Sequence, residues 1–129
     1  MCGFLAESKT QVSDQELLTR AQRLQHRGPD QTVSSFGDEA RFVFHRLSIM
    51  DLSDSGKQPF QYQGVSSVCN GEIYNDVELR ELLASDYEFK SGSDCESLIP
   101  LYLKHGIGGL VDKIDGEYAF TLYDEQKRA

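Results

Sequence analysis

Tryptophan is absent from this chain of 129 residues, and proline occurs only three times. Seven Phe and six Tyr still supply bulky apolar side chains, and a chain of this length makes one domain with one core. Basic charge is scarce: 13 Lys plus Arg stand against 21 Asp plus Glu, a net charge of −8. A nucleic-acid or anionic-membrane surface needs a basic patch, so neither partner is expected. A local anion site needs only one arginine. No apolar run approaches the ~20 residues of a membrane span. Residues 1–7 lack the basic start and long apolar stretch of an export signal, so a cytoplasmic chain is expected. Cys2, Cys69 and Cys95 are odd in number and widely spaced, which argues against a disulfide framework. There is no Cys-x-x-Cys, and His26, His45 and His105 sit at unrelated spacings, so no metal site is expected. The Gly-x-x-x-x-Gly-Lys-Ser/Thr phosphate loop is missing. Ser91-Gly92-Ser93-Asp94 lacks the second glycine and trailing serine of an ATP-pyrophosphatase loop. No cofactor is called for.

What is present alternates between strand and helix signals. Residues 2–6 read as a short apolar strand, followed by a polar turn through Ser8, Lys9 and Thr10. Ser13 and Glu16 form a capping box that opens a helix with Leu17, Leu18, Ala21 and Leu24 as its stripe. Gly28 and Pro29 end it. Residues 41–49 and 65–69 read as strands, the second running into an Asn70-Gly71 turn. Asn75 with Glu78 predicts a helix with the stripe Leu79, Leu82 and Leu83. A strand over residues 87–90 follows. Ser93 and Glu96 repeat the capping box and open a helix that ends near Gly106, bent at Pro100. A last strand over residues 117–123 leads into a hairpin turn over residues 124–127. This order suits antiparallel sheet covered by helices.

Cys2 is the first candidate for chemistry. Removal of Met1, expected before a small second residue, leaves a thiol and an α-amine on one residue. A free amine and a free thiol titrate within about one pH unit of each other, so the two can exchange a proton and form a self-contained nucleophile and base. By position alone, however, Cys2 reads more simply as a small residue near the chain start. Neighbouring motifs shift that balance. His26-Arg27-Gly28-Pro29-Asp30, His45-Arg46-Leu47-Ser48-Ile49-Met50-Asp51, Gln58-Pro59 and Asn70-Gly71-Glu72-Ile73-Tyr74-Asn75 occur in order. Ser93-Asp94-Cys95-Glu96 and Asp115-Gly116-Glu117-Tyr118-Ala119-Phe120 follow. With Met1-Cys2-Gly3, these closely resemble the class II glutamine amidotransferases, which are N-terminal-nucleophile hydrolases. The Gly-Pro-Asp after Arg27, and Glu72-Ile73-Tyr74 after Gly71, resemble the glutaminase domain of the asparagine synthetase type.

The resemblance covers essentially the whole chain, residues 1–129, as one glutamine amidotransferase domain. It implies an α+β fold, a four-layer α/β/β/α sandwich of antiparallel sheets. It also implies a reaction, hydrolysis of L-glutamine to glutamate and ammonia through a Cys2 thioester. By motif position, the Asn70 side-chain amide and the Gly71 N–H are the oxyanion donors. Such a donor typically contributes about 2.7–4 kcal/mol in the transition state. Arg46 matches the residue that grips the substrate α-carboxylate, which a planar guanidinium can do with two parallel bonds. Glu72 and Asp94 match the carboxylates near the α-amino group, and Leu47 and Ile49 line the pocket. Without this context Asn-Gly is an ordinary turn and Arg46 a solvated strand residue. Arg27 and Asp30 are expected to pair and brace the loop near Cys2. His45, His105, Cys69 and Cys95 read as structural.

Two departures from the resemblance stand out. Lys57 occupies the place where the family commonly has His before Gln-Pro. Relatives also continue through a returning strand with an Arg-Asp pair and a Lys-Pro-Leu segment, often into an ATP-using synthetase domain. The expectation is therefore a fold incomplete at the C-terminus, with a synthetase domain or subunit in cis or in trans as partner. An exposed last strand would favour a homodimer through that edge. A truncated relic that binds without turnover is the competing expectation. Another N-terminal-nucleophile hydrolase fits Cys2, but not Arg46 and Asp94 together.

Overall fold

The computed structural model describes residues 2–9 and 12–129. The expected loss of Met1 and the end of the turn at Thr10 lie outside the described residues. The described residues form two three-stranded antiparallel sheets and three α-helices. The first sheet has the order β1-β3-β2, from β1 (Gly3–Ser8), β3 (Ala40–Arg46) and β2 (Gln31–Phe36). The second has the order β4-β5-β6, from β4 (Phe60–Tyr62), β5 (Val65–Ile73) and β6 (Gly116–Asp124).

Strand alternation divides the apolar residues among three clusters. On β3, Phe42 and Phe44 meet Val68 of β5 and Tyr123 of β6, with Phe4 of β1 beside them. Between them Val43 points the other way, onto Leu17 and Ala21 of α1 (Asp14–Ala21). Val65, Cys69 and Ile73 of β5 pack against α2 (Asp76–Leu83) and α3 (Leu98–Lys113), through residues such as Leu79, Leu83, Leu98 and Leu101.

Ser13 caps α1, its Oγ accepting the Glu16 N–H at 3.2 Å. The reciprocal half of the box is replaced by a Glu16–Arg20 ion pair at 2.6 Å. A 3-10 turn, Gln22–Arg27, extends the chain to Gly28, where a Cβ would collide with the His45 carbonyl. The second capping box does not form, because Ser93 makes no side-chain cap. Asn75 does not cap α2 either; its side chain ties the Lys113 carbonyl (2.8 Å) and the Asp115 N–H (2.9 Å) instead.

Three expectations are corrected. Asn70-Gly71 is not a turn but the continuation of β5, paired with Ala119 and Tyr118 of β6. A Cβ on Gly71 would collide with the Glu117 carbonyl and Tyr118, so the glycine permits close strand approach. Residues 87–90 form no strand: Tyr87 stacks edge-on to Tyr62 and Phe89, and the Lys90 N–H goes to the Glu96 carboxylate at 2.8 Å. The break in α3 lies at Gly106 (φ 70°) rather than Pro100, and the helix resumes to Lys113. Pro100 sits in the first turn of α3, where a missing N–H costs little. The final strand and its turn are as expected: the Asp124 carboxylate accepts the N–H groups of Gln126 and Lys127.

Candidate functional site

A cavity of about 220 Å³ opens where β3 ends, lined by Cys2, Arg46, Leu47, Ile49, Gly71, Glu72 and Asp94. Every site residue expected from the sequence lines it except Asn70. Its volume lies below the roughly 300–1,000 Å³ of pockets for drug-sized ligands, so it suits something as small as an amino acid. Cys2 is half-buried. Its Sγ accepts the Leu47 N–H at 3.3 Å and faces the Leu47 carbonyl at 3.5 Å. Arg27 Nε donates to the Cys2 carbonyl at 3.1 Å. The expected Arg27–Asp30 pair is not formed; Asp30 accepts the Ser48 N–H at 2.8 Å. The two residues brace different sides of Cys2, one its own carbonyl and the other the segment after Leu47.

Arg46 follows Phe44 by two residues, so the strand period turns it into the cavity and not toward α1. The side chain is buried, and its guanidinium donates to two main-chain carbonyls, Ser53 (2.8 Å) and Asp51. Those bonds engage two of the five N–H donors a guanidinium carries. Gly56 belongs to the same collar, since a Cβ there would stand 2.6 Å from Arg46 Nη2. The Asp51 carboxylate shapes the loop by accepting the Ser53 N–H (2.7 Å) and Ser53 Oγ–H (2.6 Å). These donors, with the Gly92 N–H, hold its pKa down at about 2.

The opposite wall is acidic. Asp94 is buried in the 3-10 turn Asp94–Ser97, and its Oδ2 accepts the Ile73 N–H at 2.6 Å. Glu72 is exposed on β5. Tyr74, also at the rim, has its phenol pKa raised by desolvation and then by Glu117, Glu72 and Asp115. Glu72 and Glu117 both line the cavity, so its rim carries carboxylates suited to a cation. The segment leading to Asp94 is held from two sides. Arg80 donates to the carbonyls of Ser91 (3.1 Å) and Ser93 (2.7 Å), while buried Glu96 accepts from Tyr87, Lys90 and Ser91.

Asn70 projects from the other face of β5, into a smaller recess of about 150 Å³ that it shares with Cys2. Its Oδ1 is buried with no hydrogen-bond partner among the described residues. His45 is buried between Thr32 Oγ1 (2.9 Å) and the Ala21 carbonyl (2.8 Å), a structural placement. His105 is exposed on α3 and joins no site. Cys69 and Cys95 are buried free thiols beneath the cavity, and a Cys69 hydrogen bond, followed by burial, raises the Cys95 pKa. Asp51 and Glu96 stand inside motifs read from the sequence, but without this holding role, and Gly56 and Arg80 were missed. Among the described residues no group of three or more His, Cys, Asp or Glu side chains is placed to hold a metal, and no helix is long and apolar enough to cross a membrane.

Residues 1–129 match a family described as a glutamine amidotransferase domain. The chain is 41% identical over 132 residues to a glutamine-hydrolysing asparagine synthetase of Saccharomyces cerevisiae, covering 98% of this chain and 23% of that protein. It is 37% identical over 135 residues to asparagine synthetase B of Escherichia coli, covering 100% of this chain and 24% of that protein. It is also 40% identical over 118 residues to the amidase chry2 of Gibberella zeae, covering 88% and 17%. The chain thus spans about a quarter or less of the length of these relatives.

Proposed function

Because the chain belongs to the class II glutamine amidotransferase domain family, in its asparagine synthetase type, we propose that residues 1–129 form a glutaminase domain that hydrolyses L-glutamine to glutamate and ammonia at Cys2. The observation that carries this reading is one cavity with a thiol between a buried guanidinium and a carboxylate wall. An α-amino acid presents a carboxylate and an ammonium on one carbon. Arg46 faces the first with its remaining donors, and Asp94 and Glu72 face the second. The side-chain amide then extends toward Cys2.

In the proposed reaction, removal of Met1 frees an α-amine that takes the Cys2 thiol proton. The thiolate attacks the amide carbon, and the C=O electrons move to oxygen. Gly71 N–H and the Asn70 amide donate to that oxyanion. Asn70 shares the smaller recess with Cys2, which supports its side-chain NH2 as that donor. Collapse of the adduct, with the proton returned from the amine, releases ammonia and leaves a Cys2 thioester. Water then hydrolyses the thioester to glutamate.

The three apolar clusters support a four-layer α/β/β/α arrangement, with α1 outside one sheet and α2 and α3 outside the other. Released ammonia would pass to a synthetase domain in cis or in trans, as the names of the relatives suggest. Among the described residues β6 lies at one edge of its sheet, an edge that pairing of two copies would use; a mass independent of concentration would rule that out. The test of the main reading is ammonia release from L-glutamine by the wild type and Cys2→Ala, with the mass of the N-terminal peptide. Release by wild type only, from chains lacking Met1, is expected. A fully active Cys2→Ala overturns the mechanism, and glutamine binding without release identifies a non-catalytic domain.

A further inference from the structure

We infer that Asp51 is a positioning residue whose carboxylate sets the spacing between Arg46 and Asp94, matching the cavity to the carboxylate and ammonium of an α-amino acid. The inference rests on the glutaminase reading and deepens it. Among the described residues Arg46 makes no salt bridge with a carboxylate; its guanidinium is oriented by the main-chain carbonyls of Asp51 and Ser53. The place of Arg46 therefore depends on the shape of residues 51–56. That shape depends in turn on the Asp51 side chain. Its Oδ1 accepts both donors of Ser53, and its Oδ2 accepts the Ser55 Oγ–H at 3.4 Å.

The same Oδ2 also crosses the cavity mouth. It accepts the Gly92 N–H at 2.8 Å, 41 residues away in sequence and two residues before Asp94. The segment it reaches is held on its far side by Arg80 and Glu96. One carboxylate thus joins the loop that orients the cationic grip to the segment that carries the anionic one. A carboxylate is suited to this because every partner is a donor and both its oxygens accept. Asparagine is not: its amide nitrogen would face Gly92 or Ser53 donor to donor.

The test compares two electrophiles on the full chain, with Cys2 alkylation followed by mass spectrometry. One is a diazoketone analogue of L-glutamine that keeps both charged groups; the other is iodoacetamide, which has neither. Wild type is expected to react preferentially with the glutamine analogue. Asp51→Asn should lower the rate with that analogue about tenfold or more, the scale of one lost charge-assisted hydrogen bond, and leave the iodoacetamide rate unchanged. A preference that survives in Asp51→Asn overturns the inference and leaves the glutaminase reading standing. Equal losses with both probes also overturn it, since Asp51 then supports only the fold. A wild type without preference overturns both readings.

Discussion

The main-chain N–H of Leu47 meets Cys2 Sγ at 3.3 Å, joining the end of β3 to the candidate nucleophile across 45 residues of sequence. Arg27 holds the same residue from behind through its carbonyl at 3.1 Å. Cys2 also packs against the cluster of Phe42, Phe44, Val68 and Tyr123, so the Leu47 contact sets the sulfur and the Arg27 contact sets the main chain that carries it. Arg27→Ala should therefore lower ammonia release from L-glutamine by about 10- to 100-fold, the scale of a nucleophile displaced by about an ångström. The thermal midpoint should move little, because Arg27 is only half-buried. A large drop in midpoint with proportionate loss of activity would show that Arg27 acts on the fold.

The two acidic residues of the cavity should separate under mutation. Asp94 is buried and accepts the Ile73 N–H, so Asp94→Asn leaves a weaker or mismatched partner for a buried amide. A stability loss of about 1–3 kcal/mol is expected, read by urea unfolding, together with a raised KM for glutamine. Glu72 is exposed, so Glu72→Gln should raise KM without a measurable change in the urea midpoint. Equal stability effects in the two variants would contradict this division.

Much of the candidate site was legible because short motifs surround the residues proposed for its chemistry. Cys2, Arg46, Leu47, Glu72 and Asp94 were all named from sequence, and one cavity gathers them. What holds them was not legible. Asp51 reaches Gly92, and Arg80 reaches Ser91 and Ser93, through contacts between distant segments that leave no periodic trace. The fold shows the same limit. β3 and β6 announced themselves through apolar alternation, whereas β2 is polar and half-exposed and β4 has only three residues. Asn70-Gly71 misled because its turn propensity is local, while the demand for a glycine at 71 comes from Tyr118 and Glu117 on the next strand. Glu96 misled for the opposite reason: a carboxylate placed to cap its own helix turns back to satisfy residues 90 and 91.

Space around two glycines predicts opposite outcomes. A Cβ on Gly56 would stand 2.6 Å from Arg46 Nη2 and 2.9 Å from Asp51 Cβ, forcing the guanidinium off its carbonyls. A Cβ on Gly92 would meet Asp51 Oδ2 at 3.7 Å, an ordinary contact. Gly56→Ala should raise KM for glutamine about tenfold or more, since a bound carboxylate loses part of a charge-assisted pair. Gly92→Ala should keep KM close to that of the wild type. Steady-state kinetics on both variants check the contrast, and equal KM values would refute it.

The three cysteines differ in access, and alkylation counts them. Cys2 is half-buried at the cavity, whereas Cys69 and Cys95 are buried, the latter with its pKa raised by Cys69 and by burial. Only a thiolate reacts at a useful rate. The folded chain should take up one equivalent of iodoacetamide near neutral pH, at Cys2, and the unfolded chain three, one for each cysteine. Rapid native labelling at Cys95 would mean that the floor of the cavity opens.

Asp51 should also leave a signature in acid. Its folded pKa is held at about 2, against an ordinary 3.8, by hydrogen bonds from Ser53 and Gly92. A carboxyl group with a lower pKa folded than unfolded binds its proton more readily in the unfolded chain, so its contribution is complete above 3.8 and declines as pH falls toward about 2. Glu39, Asp86 and Asp124 are shifted in the same direction, so acid unfolding of the wild type alone does not isolate Asp51. The difference between the wild type and Asp51→Asn does, because the other three groups are common to both. That difference in urea midpoint should be constant from neutral pH down to the onset of titration, then narrow through the same acid window. A difference that stays flat to the lowest pH would mean that the Ser53 and Gly92 donors do not favour the ionised carboxylate, and that the bridge to Asp94 is looser than its 2.8 Å contact implies.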